Sequence, residues 1–308
     1  MAVSALTNAK AIAAQESPVA RFAMLRDYWA LTKPEVNFLI AIAAAAGFYL
    51  GCRPHVDPLS SIGLLHTVLG TLLTASGAAT LNQYIERRFD AQMRRTARRP
   101  LASGRLDDTA ALRFGLVLSF CGVIYLAMTT NALAALLAML TAASYLGMYT
   151  PLKRRTALCT FIGALSGAMP PMIGWAAASG HLSPEAWLLY AVLFLWQFPH
   201  FMAIAWVYRE DYHRAGYQVL PSGSRGTRVM AWQAIVPAAA LIPLTLAVMI
   251  VLGNAGSTYL GGGLILSAGF VVCAAQLAVR RSNLAARRLL KASIVYLPGL
   301  LLLMIAAA

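Results

Sequence analysis

Nine apolar runs, each long enough to cross a lipid bilayer, follow one another along this chain of 308 residues. A membrane-spanning helix needs about 20 mainly apolar residues. The runs lie at 36–52, 61–84, 111–129, 132–149, 157–178, 185–206, 229–252, 259–279 and 291–307. Charged residues make up only 12% of the chain, so lipid has to replace water around most of its surface. We therefore expect an all-α, polytopic membrane protein with nine transmembrane helices around a central cavity.

Positive charge is divided unevenly between the loops. All of the 25 Lys and Arg residues except Arg53 fall in the N-terminal tail or after the second, fourth, sixth and eighth runs. Loops rich in Lys and Arg stay in the cytoplasm, so we expect a cytoplasmic N-terminus, a C-terminus on the opposite side and a cavity open to the cytoplasm. The net charge is +14, and the basic residues lie between apolar runs. This pattern favours contact with membrane lipid, so we expect no nucleic acid as a partner. We expect residues 1–28 to form a polar tail and residues 29–308 a single transmembrane domain.

Three polar side chains stand four residues apart near the end of the second run: Asn82, Glu86 and Asp90. This spacing places them on one face of a helix, about 6 Å apart along its axis. Amide and carboxylate oxygens suit Mg²⁺, which usually shares its coordination sphere with substrate phosphates. The alternative is a solvated helix end whose carboxylates pair with nearby arginines. Because carboxylates at membrane depth are costly and usually functional, we predict a catalytic magnesium site.

Basic residues follow this acidic motif. Arg94 and Arg98 lie four residues apart and share one face if the segment is helical. Guanidinium groups match phosphate oxygens in bidentate geometry, and Lys153, after the fourth run, adds a point charge. Such residues can bind a diphosphate, or they can contact anionic lipid headgroups and fix the topology. We expect both uses.

The sixth run carries a second polar group. Glu210 and Asp211 lie at its cytoplasmic end, four runs after the first acidic motif, as in two similar halves that face one cavity. Asp211 is predicted to bind a second metal ion or a metal-bound water. Within the run, His200 is either a hydrogen-bonded core histidine or a ligand for a second substrate, and the residues themselves leave both readings open.

These segments resemble the intramembrane aromatic prenyltransferase superfamily of the UbiA type and, within it, the branch that acts on haem. The matching segments are LTKPEVN (31–37), NQYIERRFDAQMRRTARRPL (82–101), YTPLKRR (149–155), GALSGAMPPMIGW (163–175), WQFPHF (196–201) and DYHRAGYQVLP (211–221). The resemblance implies a nine-helix fold in a bacterial-type inner membrane and a dependence on Mg²⁺. It also implies that a farnesyl group passes from farnesyl diphosphate to a vinyl group of haem B, with addition of water, to give haem O and diphosphate.

The same resemblance assigns roles to single residues. It implies that Mg²⁺-diphosphate binds at Asn82, Glu86 and Asp90. The residues expected to contact the substrates are Lys33, Asn37, Arg94, Arg98, Tyr149, Lys153, His200 and Tyr212. The second acidic motif of the superfamily is often D-x-x-x-D, but Val207 stands four residues before Asp211. The second metal would then be held by Asp211 alone, with help from Glu210, or through water.

Other functions fit parts of the sequence. A prenyltransferase that acts on a quinone precursor or on another tetrapyrrole would share the acidic motifs. A secondary transporter would place its charges near the middle of the membrane, whereas these acids cluster at one face. A scaffold subunit of a respiratory complex would not require the acidic row. The likeness to the haem branch also leads us to expect association with haem A synthase or oxidase assembly factors.

Overall fold

The computed structural model of the chain describes residues 18–52, 62–220, 223–252 and 256–307, and every regular element within these ranges is a helix. Most of the predicted tail (1–17), the loop that contains Arg53, and Pro221 lie outside the described residues. The helices are α1 Pro18–Leu31, α2 Pro34–Gly51, α3 Ile62–Asp90, α4 Asp108–Thr129, α5 Ala132–Ser144, α6 Thr150–Leu152, α7 Cys159–Gly167, α8 Pro170–Ser179, α9 Pro184–Val207, α10 Arg209–Arg214, α11 Gly223–Leu252, α12 Ser257–Arg280 and α13 Asn283–Ala307, with a π-helix at Tyr145–Tyr149.

The predicted all-α fold with nine membrane spans is confirmed for the part of the chain that the structure describes. The fourth span combines α5, the π-helix and α6, and the fifth combines α7 and α8. Three helices extend well beyond their apolar runs: α11 and α13 begin six and eight residues before theirs, and α3 continues to Asp90, six residues beyond the end of its run. No Pro or Gly interrupts residues 84–90, so the helix continues after its composition becomes polar. The first acidic motif therefore lies within α3.

The helices pack in a closed circuit. Along the chain α2 contacts α3, α3 contacts α4, and α4 contacts α5. The circuit continues through α8, α9, α11, α12 and α13, and α13 returns to contact α2. This arrangement surrounds an interior that the side chains fill only in part.

Glycine allows α2 and α8 to approach each other closely. A Cβ added at Gly174 would lie 1.9 Å from the carbonyl oxygen of Ala44, and one at Gly47 would lie 2.0 Å from that of Pro171. Close contact through small residues is a common way for helices to associate in membranes. Asn131 ends the short turn between α4 and α5, where its side-chain oxygen accepts a hydrogen bond from the Ala134 amide at 2.9 Å.

Candidate active site

A polar cavity of about 240 Å³ lies at the end of α3. Asn82, Glu86 and Asp90 all line it, as their helical spacing predicts. Their exposed fractions are 1%, 6% and 1%, so the row is withdrawn from water. The helix end is therefore not solvated, although Asp90 does pair with a nearby arginine, Arg99, as that alternative expected. The other charged residues that line the cavity are Lys33, Arg95, Arg99 and Lys153.

Each ligand-type side chain of this row has a basic partner. Lys33 Nζ donates to Asn82 Oδ1 at 2.8 Å, and Lys153 Nζ donates to Glu86 Oε1 at 2.9 Å. Arg99 donates to Asp90 Oδ2 at 2.7 Å. The two lysines come from distant parts of the chain, 49 and 67 residues from their partners, whereas Arg99 is 9 residues from Asp90, so the tertiary fold assembles much of the site. Four cations around two carboxylates leave the cavity with an excess of positive charge, which suits an anionic ligand.

One carboxylate oxygen is left without a partner. Asp90 Oδ1 is buried and accepts no hydrogen bond from the described residues, although such an orphaned oxygen is costly. A hard divalent cation would satisfy it, and the carboxylate–amide set of α3 fits Mg²⁺. Within the described ranges no three His, Cys, Asp or Glu side chains form a metal-binding group. This donor set therefore suits a metal ion that is completed by substrate oxygens and water.

The pKa values of two lysines beside the cavity are shifted in opposite directions. Loss of solvation, together with the positive charges of Arg99 and Lys153, lowers the pKa of Lys33 to about 7. Loss of solvation would lower the pKa of Lys153 too, but the carboxylate of Glu86 outweighs it and raises that pKa well above its usual value. Lys33 also has a left-handed backbone, with φ of 50°. Such strain in a non-glycine residue is typical of functional sites.

The arginines that line the cavity are not those that the sequence favoured. Beyond Asp90 the chain forms successive turns over residues 91–104, so the helical face assumed for Arg94 and Arg98 does not exist. Both are exposed, and neither lines the polar cavity. Arg95 and Arg99 line it instead. A tertiary contact helps to hold these turns, because the Arg95 amide donates to Asp211 Oδ2 at 3.2 Å from 116 residues away, and sequence spacing cannot supply such a contact.

Two tyrosines from the π-helix form another wall. Tyr149 was predicted to contact substrate, whereas Tyr145, one turn earlier, was missed; both line the polar cavity. A π-helix inserts an extra residue per turn and often marks a functional site. Gly163 makes room for Tyr149, because a Cβ at that position would lie 2.7 Å from its ring. Lys153 Nζ lies 4.5 Å from the centre of the same ring.

The two residues of the second acidic group, Glu210 and Asp211, lie in different surroundings. Asp211 is buried, and its Oδ2 accepts the Arg95 amide at 3.2 Å while its Oδ1 accepts from Arg214 at 3.0 Å. It is not among the residues that line the polar cavity, although its neighbour Tyr212 is. The Glu210 side chain is 77% exposed and pairs with Arg209. Asp211 therefore lies directly behind Arg95, and Glu210 is separate from the site.

A turn after α10 brings a further residue into the wall. Gly216 has a φ of 72°, which glycine adopts without strain. The turn lets the Gln218 amide donate to the Lys153 carbonyl at 2.8 Å, which ties the second motif to the basic loop. It also places Tyr217, missed from the sequence, against the polar cavity. The Ala-Gly pair at 215–216 is the sequence signal that would have indicated this turn.

The polar cavity joins a larger, mainly apolar cavity of about 550 Å³. The residues that line both are Lys33, Val36, Tyr145, Tyr149, Phe201 and Ile204. Asn37 and His200, both predicted to contact substrate, line only the larger one. Asn37 donates to the Thr32 carbonyl at 2.7 Å and to Ser76 Oγ at 2.8 Å. The arrangement suits a molecule with a charged diphosphate head and a long apolar tail.

Comparison with known proteins identifies the family. The UbiA prenyltransferase family matches residues 39–297. A protohaem IX farnesyltransferase of Solibacter usitatus is 46% identical over 288 residues, which cover 91% of this chain and 98% of the relative. The protohaem IX farnesyltransferase of Salinibacter ruber is 42% identical over 283 residues, which cover 92% and 98%.

Solved structures show the same fold. A digeranylgeranylglyceryl phosphate synthase structure has a TM-score of 0.72 at 17% identity and covers 92% of this chain and 98% of its own. A UbiA homologue from Archaeoglobus fulgidus bound to GPP and Mg²⁺ has a TM-score of 0.62 at 16% identity, with coverages of 91% and 99%. Sequence and fold agree: the chain belongs to the UbiA prenyltransferase family, among its protohaem IX farnesyltransferases.

Proposed function

We propose that this protein transfers the farnesyl group of farnesyl diphosphate to a vinyl group of haem B, adds water, and releases haem O and diphosphate. The curated relatives, which are 46% and 42% identical over nearly the whole chain, support the reaction. The observation that carries the proposal is the junction of two cavities, one lined by the acidic row and four cations and the other mainly apolar. A diphosphate head fits the first, and an isoprenoid tail fits the second.

We propose that Asn82, Glu86 and Asp90 hold Mg²⁺, with Asp211 contributing to a second ion or to a metal-bound water. When bound, the ion would neutralise the diphosphate and polarise its oxygens. The unpartnered Asp90 Oδ1 supports this assignment. Asp211 would have to exchange its present partners, the Arg95 amide and the Arg214 guanidinium, to take part.

The basic residues stabilise the leaving group. Lys33, Arg95, Arg99 and Lys153 surround the polar cavity, so they can balance the charge that gathers on diphosphate as the allylic C–O bond breaks. The bonding electrons leave with the diphosphate. Arg94 and Arg98, both exposed, remain predicted diphosphate contacts that would need a rearrangement of residues 91–104 to reach it.

The apolar cavity protects the allylic cation. Its walls are mainly alanine and large apolar side chains, which exclude water until the acceptor reacts. A vinyl carbon of haem then forms the new C–C bond with the first carbon of the farnesyl chain. Water adds to the resulting cation and loses a proton, which leaves a hydroxyethylfarnesyl group. No side-chain nucleophile is needed.

Purified protein tests this proposal directly. With farnesyl diphosphate, haem B and Mg²⁺, we expect a pigment whose mass equals haem B plus a farnesyl group and a hydroxyl group, together with release of diphosphate. Asp90→Ala should abolish turnover while membrane insertion and detergent extraction stay normal. Haem O formation by purified Asp90→Ala would contradict the metal assignment. Transfer of label to a quinone precursor or another tetrapyrrole, but not to haem, would overturn the acceptor.

We also propose that the polar cavity opens to the cytoplasm, with the N-terminus on that side and the C-terminus on the other. The positions of the Lys and Arg residues support this orientation. Labelling of single cysteines introduced at Arg53 and at Arg154 in intact cells should modify only the former; the reverse pattern would refute the orientation. The family likeness further supports association with haem A synthase or oxidase assembly factors, which cross-linking in native membranes can test.

A further inference from the structure

A polar cluster joins α9 to α13 at the wall of the apolar cavity. His200 Nδ1 lies 2.7 Å from Ser293 Oγ. The Trp196 ring stacks on the His200 ring with 4.9 Å between centres, and its indole N–H donates to the Ser293 carbonyl at 2.8 Å. Ser293 is completely buried. The imidazole is therefore held from two sides by fixed neighbours.

The hydrogen bonds of this cluster favour one position of the imidazole proton. The Ser293 hydroxyl has one hydrogen and lies 2.7 Å from the Leu290 carbonyl, which can only accept. With the hydroxyl donating to that carbonyl, Ser293 Oγ accepts from His200, and Nδ1 carries the hydrogen. In a neutral imidazole the other nitrogen is then an acceptor with a free lone pair. His200 Nε2 is thus the unprotonated nitrogen.

This nitrogen has no partner in the protein. Among the described residues only the Nδ1 atom of His200 forms a hydrogen bond, and His200 lines the apolar cavity. A histidine that served only in packing would normally satisfy both nitrogens once buried. Ile204, one helical turn or about 6 Å further along α9, lines both cavities. His200 therefore lies close to the junction where the two substrates have to meet.

We infer that His200 Nε2 is the axial ligand of the acceptor's iron and that Ser293 is a positioning residue, which keeps this nitrogen unprotonated and aimed at the cavity. The inference rests on the proposed function, because it takes an iron porphyrin as the acceptor. A neutral imidazole is a common haem ligand, and hydrogen bonding to its second nitrogen commonly fixes the tautomer and ring orientation. Coordination requires only the lone pair of Nε2, so no proton or electron is exchanged.

Haem binding, measured without farnesyl diphosphate, tests the inference. Detergent-purified protein is titrated with haem B, and the Soret band and electron paramagnetic resonance report nitrogen ligation. Wild-type protein should show this signature, and His200→Gly should lose it. Added imidazole should restore it in His200→Gly, which would show that the cavity is intact. Iron-free protoporphyrin should bind wild type and His200→Gly equally, because it offers no iron to coordinate.

Ser293→Ala separates the positioning role from simple packing. It should weaken haem affinity about 10- to 100-fold, as loss of an outer hydrogen bond to a metal ligand typically does, and Ser293→Thr should restore affinity. Ser267→Ala is the matched control, because Ser267 is also completely buried and hydrogen-bonded, but its partners are Thr245 and Tyr296 and not His200. An unchanged haem spectrum in His200→Gly, or equal affinities for Ser293→Ala and Ser267→Ala, would overturn the inference.

Glu86→Gln distinguishes this inference from the proposed function. This variant should lose farnesyl transfer yet keep the nitrogen-ligated haem spectrum, because Glu86 lines the polar cavity and His200 does not. If the wild-type protein binds haem through nitrogen but forms no product, the transferase proposal is wrong and the ligand assignment stands. If His200→Gly makes haem O normally and binds haem with wild-type affinity, the ligand assignment is wrong and the transferase proposal stands.

Discussion

At the scale of single residues, the site depends on charges that are buried in pairs. Glu86 and Lys153 are 2.9 Å apart, with side-chain exposures of 7% and 15%. Removing one partner of such a pair leaves an uncompensated charge. These pairs hold the carboxylates in place before substrate arrives, and the cations are then available to the leaving diphosphate.

Substitution of Lys153 should therefore reduce activity more than its position in a basic loop indicates. We predict that Lys153→Gln lowers kcat/KM for farnesyl diphosphate by about 100-fold or more, the range for loss of a preorganised charge-stabilising group. Lys291→Gln, which changes an exposed lysine of α13, should stay within about twofold, since surface substitutions are usually small in effect. Equal activity of the two variants would argue against a role for Lys153 in the reaction.

Adjacent arginines allow a matched test of the basic segment. Arg95 lines the polar cavity, whereas Arg94 does not. We predict that Arg95→Ala raises KM for farnesyl diphosphate about 10- to 100-fold, which corresponds to one lost hydrogen bond to a charged group. Arg94→Ala should change KM less than about threefold. Steady-state kinetics gives the KM of both variants. A larger increase in KM for Arg94→Ala than for Arg95→Ala would favour the helical face predicted from the sequence.

At the scale of elements, interruptions of regular helix shape the site. The π-helix at 145–149 brings Tyr145 and Tyr149 to the cavity, and the fifth span is broken between α7 and α8. Breaks at membrane depth are tolerated where the backbone is buried in protein or lines a cavity. Packing of α8 against α2 then holds the broken span in place.

The α2–α8 contact should not tolerate a larger residue. A Cβ at Gly174 would meet the backbone oxygen of Ala44 at 1.9 Å, and backbone cannot move aside as a side chain can. We predict that Gly174→Ala lowers the free energy of unfolding by about 1–3 kcal/mol, as overpacking does. Gly269→Ala, where no atom lies within 4 Å, should be neutral or stabilising by up to about 1 kcal/mol. Thermal unfolding in detergent would reveal the difference, and similar melting temperatures would contradict it.

At the scale of the whole molecule, the closed circuit of helices encloses two joined spaces with different chemistry. The small residues of α3 that line the apolar space include Ala75, Ala78 and Ala79. They precede Asn82 on the same helix, so the farnesyl tail would run back along α3 from the proposed diphosphate site. Depth along this helix should therefore limit the length of the prenyl chain.

A bulky residue on α3 should shorten the accepted chain. Ala75 lies seven residues before Asn82, about 10 Å along the helix axis. We predict that Ala75→Phe shifts the kcat/KM preference from farnesyl towards geranyl diphosphate by about tenfold or more, since each 1.4 kcal/mol is a factor of ten. Leu116→Phe, at a position that is 52% exposed on α4, should leave the ratio unchanged. A wild-type ratio in Ala75→Phe would exclude this cavity as the tail site.

The number of spans and the acidic row could both be predicted from the sequence. Both depend on local patterns, since apolar length decides whether a segment crosses a bilayer and four-residue spacing decides which side chains share a helical face. The motif likeness extended this to the family, which the matches over residues 39–297 confirm.

The cations that complete the site depend on long-range packing. Arg95 and Arg99 line the cavity in place of the expected Arg94 and Arg98, because residues 91–104 fold as turns that a contact with Asp211 helps to hold. Tyr217 enters through a glycine turn, and Ser293 meets His200 from 93 residues away. Sequence periodicity describes one helix at a time, whereas these positions depend on how separate helices pack, and that packing is long-range.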